Sequence, residues 1–140
     1  MNFFAPPNFW IFITTLADML QIETKFRVRY AETDRMGYVY YGNYAAWFEV
    51  GRVELLRALG TSYRDLEDRG VLLPVRNFSV RYHLPVRYDE EVTLITKLVA
   101  VETTRLVFDY EIFNDQNLKT TTASATLVFV NRESGRPDKI

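Results

Sequence analysis

The chain has 140 residues, 48% of them hydrophobic, and a formal net charge of -1 at pH 7. This length and composition predict one domain with a substantial core, and the near-zero charge excludes the broad basic surface that binds a nucleic-acid backbone. The chain has 0 cysteines, which excludes disulfides, thiolate zinc sites and cysteine nucleophiles and fits a cytoplasmic protein. It has 1 histidine, which excludes a metal site built from several histidines.

Residues 1–20 are apolar and aromatic, but Asn8 and the pair Pro6-Pro7 interrupt them. They lack the Lys/Arg segment that begins a signal peptide, and the run is too short and too interrupted for a membrane span of about 20 apolar residues. We therefore expect an extension that packs on the domain or covers an interface, with no stable membrane insertion. The domain itself is predicted at residues 21–140.

A strand with one buried face is predicted directly after this extension, because apolar and polar residues alternate there with a period of two. The face expected to be buried consists of Ile22, Thr24, Phe26, Val28 and Tyr30. The strand leads into a loop that carries Asp34 and Gly37 and is rich in tyrosine. A carboxylate between a strand end and a helix start, with apolar walls, suits chemistry on a carbonyl compound.

A long helix is predicted next, with Asn43 as its N-cap and Gly60 as the left-handed residue that ends it. One apolar stripe is expected to face the core, and it consists of Tyr44, Trp47, Phe48, Gly51, Leu55, Ala58 and Leu59. The opposite face carries two spacings typical of ion pairs, Glu49 with Arg52 and Glu54 with Arg57. A glycine within the apolar stripe indicates that the helix axis approaches a sheet closely.

Residues 62–70 are expected to form a short helical turn, and four further strands are predicted after it. They are Val71–Leu84 with Pro74 interrupting its start, Glu91–Val101, Arg105–Phe113 and Thr120–Val130. A hairpin turn is predicted at residues 114–117. This order predicts an α+β fold in which one helix covers a five-stranded antiparallel sheet. One helix cannot hide the whole sheet and its edges, so we expect a homodimer or a homotetramer.

The order of elements and the loop resemble the hotdog-fold acyl-CoA thioesterases of the 4-hydroxybenzoyl-CoA thioesterase-like family. The matching motif consists of Tyr30, Glu32, Thr33, Asp34, Gly37, Val39, Tyr40, Asn43, Tyr44 and Glu49. Pro85 with Tyr88-Asp89-Glu90 is similar to a turn of the same family, and the resemblance covers roughly residues 21–131. It implies a hotdog fold, in which a five-stranded antiparallel sheet wraps around one long central helix.

The resemblance also implies a function, the hydrolysis of an acyl-CoA or acyl-carrier-protein thioester without a metal or a cofactor. Asp34 is then the nucleophile or the general base, and the backbone N–H groups of Tyr41 and Gly42 hold the thioester oxygen. The residues expected at the substrate are Gly37, Tyr38, Val39, Tyr40, Asn43 and Tyr44, with Glu49, Thr103, Thr104 and Arg105 as weaker candidates. Relatives linked to the Tol–Pal genes carry histidine where this chain has Tyr41, whereas tyrosine is familiar from the benzoyl-thioesterase branch.

Structural explanations stand beside these roles. Asp34 could cap a turn or the helix, and Glu49 could serve only as the ion-pair partner of Arg52. His83 is expected to end a strand with a structural hydrogen bond, although any Ser-His-Asp triad would need it. Residues 103–105 and Arg87 could be solvated strand ends.

Two other functions also fit a fold of this kind. One is a non-catalytic acyl-CoA or acyl-carrier-protein binding module that uses the same groove. The other is a hotdog acyl dehydratase, which in related folds uses a histidine with a helix carboxylate. No histidine lies near this helix in the sequence.

Overall fold

Two helices and seven strands make up the regular structure of residues 20–139, which are the residues that the computed structural model describes. The elements are β1 (Gln21–Arg27), α1 (Tyr44–Ala58), α2 (Tyr63–Asp68), β2 (Val71–Leu72), β3 (Val75–Tyr82), β4 (Glu91–Val101), β5 (Arg105–Phe113), β6 (Lys119–Val128) and β7 (Val130–Asn131). Single 3₁₀ turns at Tyr30–Glu32 and Tyr41–Asn43 flank the loop between β1 and α1. The predicted extension, apart from Leu20, lies outside the described residues.

Five of the strands form one antiparallel sheet in the order β1-β4-β5-β6-β3. The predicted α+β architecture, with five antiparallel strands around one long helix, is therefore confirmed. Pro74 interrupts the segment 71–84 as predicted, and Val71 and Leu72 pair with β7 in a separate two-stranded sheet. Residues 114–117 form the predicted turn, in which Asn117 has a φ of 61°.

Helix α1 lies on the inner face of the sheet, and the core forms between them. Fully buried side chains of the sheet, among them Val92, Leu94 and Ile112, belong to the same cluster as Phe48 of the helix. At Gly51 an added Cβ would collide with Thr96 Oγ1 and would lie 3.0 Å from Leu94 Cδ2. The predicted close approach of the helix to the sheet is confirmed, and it requires glycine at this position.

Most of the predicted apolar stripe of α1 is buried, but its far end differs from the prediction. Tyr44, Trp47, Phe48, Gly51 and Leu55 are buried. Ala58 is exposed, while Leu56, which the pattern did not place on the stripe, is buried. Periodicity alone does not reveal which neighbouring segment covers the last turn of a helix.

The predicted ion pair between Glu49 and Arg52 is wrong. Arg52 is only 7% exposed, and it donates hydrogen bonds to Tyr63 Oη and Tyr110 Oη, each 3.0 Å long. Glu49 is exposed and forms no ion pair with another described residue. The second predicted pair is confirmed, because Arg57 Nη1 lies 2.8 Å from Glu54 Oε1.

Tyr30 does not share the buried face of β1, contrary to prediction. The strand ends at Arg27 and the chain then turns into the 3₁₀ turn, which leaves the Tyr30 side chain 78% exposed. Within residues 20–139, no helix is both long and apolar enough to span a membrane.

Candidate active site

The loop between β1 and α1 is held in place by backbone hydrogen bonds at both sides. Asp34 N donates to Tyr38 O (2.7 Å) and Val39 N donates to Val86 O (2.7 Å). Further along, Tyr40 N donates to Glu32 O (2.9 Å). The loop therefore folds back on itself and is pinned against the turn that precedes β4.

Asp34 lies at the tip of this loop, and its two carboxylate oxygens have different environments. Oδ1 accepts hydrogen bonds from Met36 N (2.9 Å) and Tyr38 N (3.2 Å), and Gly37 allows the turn through its φ of +81°. Oδ2 accepts no hydrogen bond from residues 20–139. The turn-capping explanation thus accounts for one oxygen and leaves the other without a hydrogen-bond donor among the described residues.

A cavity of about 310 Å³ opens beside Asp34. Of the predicted site residues other than Asp34, Tyr38, Val39, Tyr41 and Tyr44 line it. Gly37, Tyr40, Gly42 and Asn43 do not line it. The side chains that the sequence analysis did not assign to the site are Met36, Tyr82, His83, Leu84, Pro85 and Val86. Most of these follow the end of β3, and the only sequence signal for them is the family-like turn that begins at Pro85.

Tyr44 and Tyr82 form an aromatic wall of this cavity, with ring centroids 5.1 Å apart in an edge-to-face arrangement. Burial is the main cause that raises the pKa of Tyr44 to about 12. The phenol is therefore neutral at physiological pH and is a hydrogen-bond donor rather than a base.

His83 makes the structural hydrogen bond that the sequence predicts, and it also lies at the cavity, where no prediction placed it. Its Nε2 lies 3.0 Å from Thr122 Oγ1, which is the expected structural hydrogen bond, and its ring also lines the cavity. The chain's one histidine is therefore near α1 in space although it is distant in sequence, because Tyr44 lines the same cavity.

The start of α1 carries the backbone donors that the sequence analysis assigned to the site. Asn43 N donates to Tyr40 O (2.9 Å), whereas the N–H groups of Tyr41 and Gly42 have no acceptor among residues 20–139. These two amides lie at the positive end of the helix dipole. Gly42 is tightly placed, since an added Cβ would come within 2.6 Å of Tyr40 Cε2.

Asn43 occupies the N-cap position of α1 as predicted, but its side chain makes no capping hydrogen bond to the helix. Its backbone has helical angles, and its Nδ2 instead donates to Glu32 O at 2.7 Å. The side chain therefore ties the helix start to the beginning of the loop.

Glu32 is a buried carboxylate behind the site, with 8% of its surface exposed. Burial alone would raise the pKa of Glu32, but hydrogen bonds from Arg29 N (2.8 Å) and Trp47 Nε1 (2.7 Å) outweigh it and lower the pKa. The side chain is therefore ionised, and both of its oxygens are occupied.

The weaker candidates lie away from the cavity within one chain. The two ends of β4 lie far apart. Its first residue, Glu91, pairs with Arg27 just before the Asp34 loop, whereas Thr103, Thr104 and Arg105 follow its last residue. Because a strand rises about 3.3 Å per residue, β4 separates the two places by roughly 30 Å. One copy of the chain therefore does not bring them to Asp34.

A larger depression of about 640 Å³ lies on the outer face of the sheet and contains none of the predicted site residues. Most of its lining residues have polar side chains, and Glu111 there accepts from Lys97 Nζ and Lys119 Nζ at 2.7 Å each. The hydrogen bond from Lys119 is the main cause that lowers the pKa of Glu111. Across residues 20–139, no three His, Cys, Asp or Glu side chains gather as metal ligands.

Comparison with a solved structure defines the class of protein. The chain is similar to the crystal structure of a DHNA-CoA thioesterase from Staphylococcus aureus, with 39% sequence identity and a TM-score of 0.83. The match covers 86% of this chain and 81% of that one. The fold is the hotdog fold of thioesterases, as the sequence predicts.

Comparison with families and curated relatives then gives the family. The model of the thioesterase superfamily matches residues 36–121. The chain is 38% identical over 113 residues to the putative acyl-CoA thioesterase YneP of Bacillus subtilis, which covers 81% of this chain and 82% of that protein. It is 33% identical over 111 residues to the acyl-CoA thioester hydrolase YbgC of Escherichia coli, with 79% and 83% covered. The chain belongs to the thioesterase superfamily, and the predicted class of enzyme, a thioester hydrolase, is confirmed.

Proposed function

We propose that this protein is a cytoplasmic acyl-CoA thioesterase that hydrolyses its substrate to a free carboxylic acid and coenzyme A. The observation that carries the proposal is a carboxylate oxygen, Asp34 Oδ2, that accepts no hydrogen bond from residues 20–139 and belongs to a residue that lines the cavity of about 310 Å³. Two backbone donors at Tyr41 and Gly42, which have no acceptor in the described part of the chain, lie in the same loop region. The absence of cysteine from the chain fits a reducing compartment.

In the proposed mechanism the thioester carbonyl oxygen accepts hydrogen bonds from the N–H groups of Tyr41 and Gly42. Asp34 either attacks the carbonyl carbon and forms an anhydride that water opens, or removes a proton from the water that attacks. In both routes the C–S bond breaks, the thiolate of coenzyme A leaves and takes up a proton, and water supplies the new oxygen of the acid. The helix dipole favours the negative charge on the carbonyl oxygen.

The shape of the cavity supports a compact acyl group. Four tyrosines line it, and its volume of about 310 Å³ is small for a long unbranched chain. Flat rings packed at its wall favour an aromatic acyl group through edge-to-face contacts. The similar Staphylococcus aureus protein is described as acting on DHNA-CoA, which is consistent with this preference.

The decisive experiment is a panel of aromatic and aliphatic acyl-CoA and acyl-carrier-protein thioesters, assayed by release of free thiol. The Asp34→Asn variant keeps the side-chain oxygen that caps the turn but cannot act as a base or nucleophile, so we expect turnover to fall by at least about 100-fold. The melting temperature should stay near that of the wild type.

The alternatives give different results in the same assay. Near-native turnover by a folded Asp34→Asn protein would contradict the role of Asp34. A binding module would bind the thioester without releasing thiol, in the wild type as well as in the variant. A dehydratase would change the acyl chain and would also release no thiol.

The predicted assembly is part of the proposal. Among the described residues β3 is an edge strand, and Val75, Phe78 and Tyr82 on it are large apolar side chains that remain exposed. An open apolar edge of this kind favours pairing with a second copy. Because Tyr82 also lines the cavity, the subunit boundary would lie beside Asp34. Sedimentation equilibrium should show a homodimer or a homotetramer, and an active monomer at micromolar concentration would contradict this.

A further inference from the structure

We propose that Glu32 is the positioning residue of the site, which fixes Asp34 relative to the backbone donors of Tyr41 and Gly42. This inference rests on the proposed function. Glu32 does not line the cavity, and both of its carboxylate oxygens are engaged with protein donors, so it does not touch the substrate. It acts through the groups that it holds.

The side chain of Glu32 connects the loop to the helix. Oε1 accepts from Arg29 N at 2.8 Å, just after β1 ends, and Oε2 accepts from Trp47 Nε1 at 2.7 Å, in the first turn of α1. Because Asp34 follows Glu32 by two residues, this carboxylate fixes the distance between the tip of the loop and the body of the helix.

The backbone carbonyl of Glu32 makes a second connection. It accepts from Tyr40 N at 2.9 Å and from Asn43 Nδ2 at 2.7 Å. Tyr40 and Asn43 enclose the pair Tyr41-Gly42 in the sequence, so the same residue that lies two positions before Asp34 also holds both sides of the proposed oxyanion donors. These four hydrogen bonds, made by Glu32 with Arg29, Tyr40, Asn43 and Trp47, are the Glu32 clip.

The energetics argue against a role in stability alone. A buried carboxylate loses hydration, and a well-packed apolar residue in the same place is often equally stabilising or better. Among residues 20–139 the one cation that pairs with Glu32 is Arg29, whose Nε is 3.3 Å away and whose side chain is 77% exposed, so this ion pair contributes little. A carboxylate at this position orients the loop relative to the helix, because it accepts one hydrogen bond from each of them with defined geometry.

The test compares three single variants for kcat, KM and stability on the best thioester of the panel. Glu32→Gln removes the charge and replaces one of the two accepting oxygens with an NH₂ group. That group cannot accept the hydrogen bond that Arg29 N or Trp47 Nε1 donates in the wild type. Trp47→Phe removes the Nε1 donor and keeps a ring for the contacts with Phe26 and Tyr44, at 4.9 Å and 5.2 Å. The matched control is Glu111→Gln, which disturbs a part-buried carboxylate of similar connectivity on the outer face of the sheet.

We expect Glu32→Gln and Trp47→Phe each to lower kcat by about 10-fold to 100-fold, because small misplacements of reacting groups have effects of this size. KM should change by less than about twofold, since neither residue contacts the substrate. Glu111→Gln should leave both constants near the wild-type values. The double variant of Glu32 and Trp47 should be no slower than the slower single variant, because both changes break the same hydrogen bond.

Hydrogen exchange gives a readout that does not depend on turnover. Weakening the Glu32 clip should speed exchange at the Tyr40 and Asn43 amides, while the amides of β4 and β5 keep their protection. If a variant loses protection in β4 and β5 as well, its lower activity reflects unfolding, and the positioning role is rejected for that residue.

The outcomes separate this inference from the proposed function. If the wild type releases no thiol, or if Asp34→Asn turns over normally, the proposed function itself fails. If Asp34→Asn is inactive but Glu32→Gln and Trp47→Phe match Glu111→Gln in kcat, only the positioning role is overturned. Multiplicative losses in the double variant would also overturn it.

Discussion

The two ends of helix α1 differ in whether their terminal backbone groups form hydrogen bonds within the described chain. At the C-terminal end the chain satisfies its own carbonyls, with Gly60 N donating to Arg57 O (2.9 Å) and Thr61 N donating to Leu56 O (3.0 Å). At the N-terminal end the N–H groups of Tyr41 and Gly42 have no acceptor within residues 20–139. Every helix begins with unpaired donors and ends with unpaired acceptors, so the difference lies in what the loop at each end supplies.

The loops at the two ends account for this difference. The C-terminal loop closes the helix, whereas the N-terminal loop leaves donors of the kind that bind an anion. The C-terminal loop adopts the left-handed conformation at Gly60, with a φ of +86°, and closes the last turn. The N-terminal loop places Asn43 and Tyr40 against Glu32, and the two N–H groups between them have no acceptor among the described residues. Free donors at the positive end of a helix attract a developing negative charge, and the cavity that Asp34 lines opens there.

The largest expected effect comes from removing one of the free donors. Tyr41→Pro deletes the Tyr41 N–H, and we expect kcat/KM to fall by about 100-fold or more if the loop still folds. The control is Tyr41→Ala, which loses the ring but keeps the N–H. Steady-state thiol release measures both variants, and equal losses in the two would show that the side chain, not the amide, carries the effect.

A smaller effect is expected from removing only the phenol. Tyr41→Phe keeps the backbone donor and the ring that lines the cavity, so turnover should stay within about tenfold, or roughly 1.4 kcal/mol of barrier. The same thioester assay measures the change. A loss as large as that of Asp34→Asn would make the hydroxyl a direct catalytic group and would overturn the backbone-based mechanism.

At the other end of the helix we expect a change in stability without a change in rate. An added Cβ at Gly60 meets no atom within 4 Å, so Gly60→Ala adds only the strain of a positive φ, about 1 kcal/mol. Denaturant unfolding should show this loss of free energy, while kcat and KM stay near wild-type values. A marked fall in kcat would mean that the two ends of α1 are coupled.

The smallest effect on activity is expected from a substitution in the turn between β4 and β5. Thr104→Ala should change kcat/KM by less than about twofold, a difference of roughly 0.4 kcal/mol, because β4 separates this turn from Asp34 within one chain. A clear rise in KM for acyl-CoA would instead support the sequence-based expectation that Thr103, Thr104 and Arg105 contact the substrate. In that case the contact would come from a neighbouring subunit.

The strands and the loop motif could be predicted because their signals are local. The segments Glu91–Val101 and Arg105–Phe113 alternate with a period of two, and the structure has β4 and β5 with those same bounds. Gly60 ends the helix and Pro74 interrupts the strand because of the backbone angles that these residue types prefer, and those preferences do not depend on distant residues. The family was predicted from the residues between Tyr30 and Glu49, and that prediction is confirmed.

Contacts between distant segments could not be predicted in this way. Arg52 is buried because Tyr63 and Tyr110 reach it from other elements, whereas its helix position alone indicates solvent. Likewise, His83 lines the cavity only because the chain after β3 folds beside the Asp34 loop.

The sequence by itself therefore determined the five strands of the main sheet, the long helix, their order and the candidate site segment, since periodicity and turn chemistry act over a few residues. Only the tertiary structure decided that Glu32 contacts Trp47 across 15 positions of sequence and that the N–H groups of Tyr41 and Gly42 have no acceptor within residues 20–139. Hydrogen-bond geometry of this kind depends on how separate elements pack, and no local pattern encodes it.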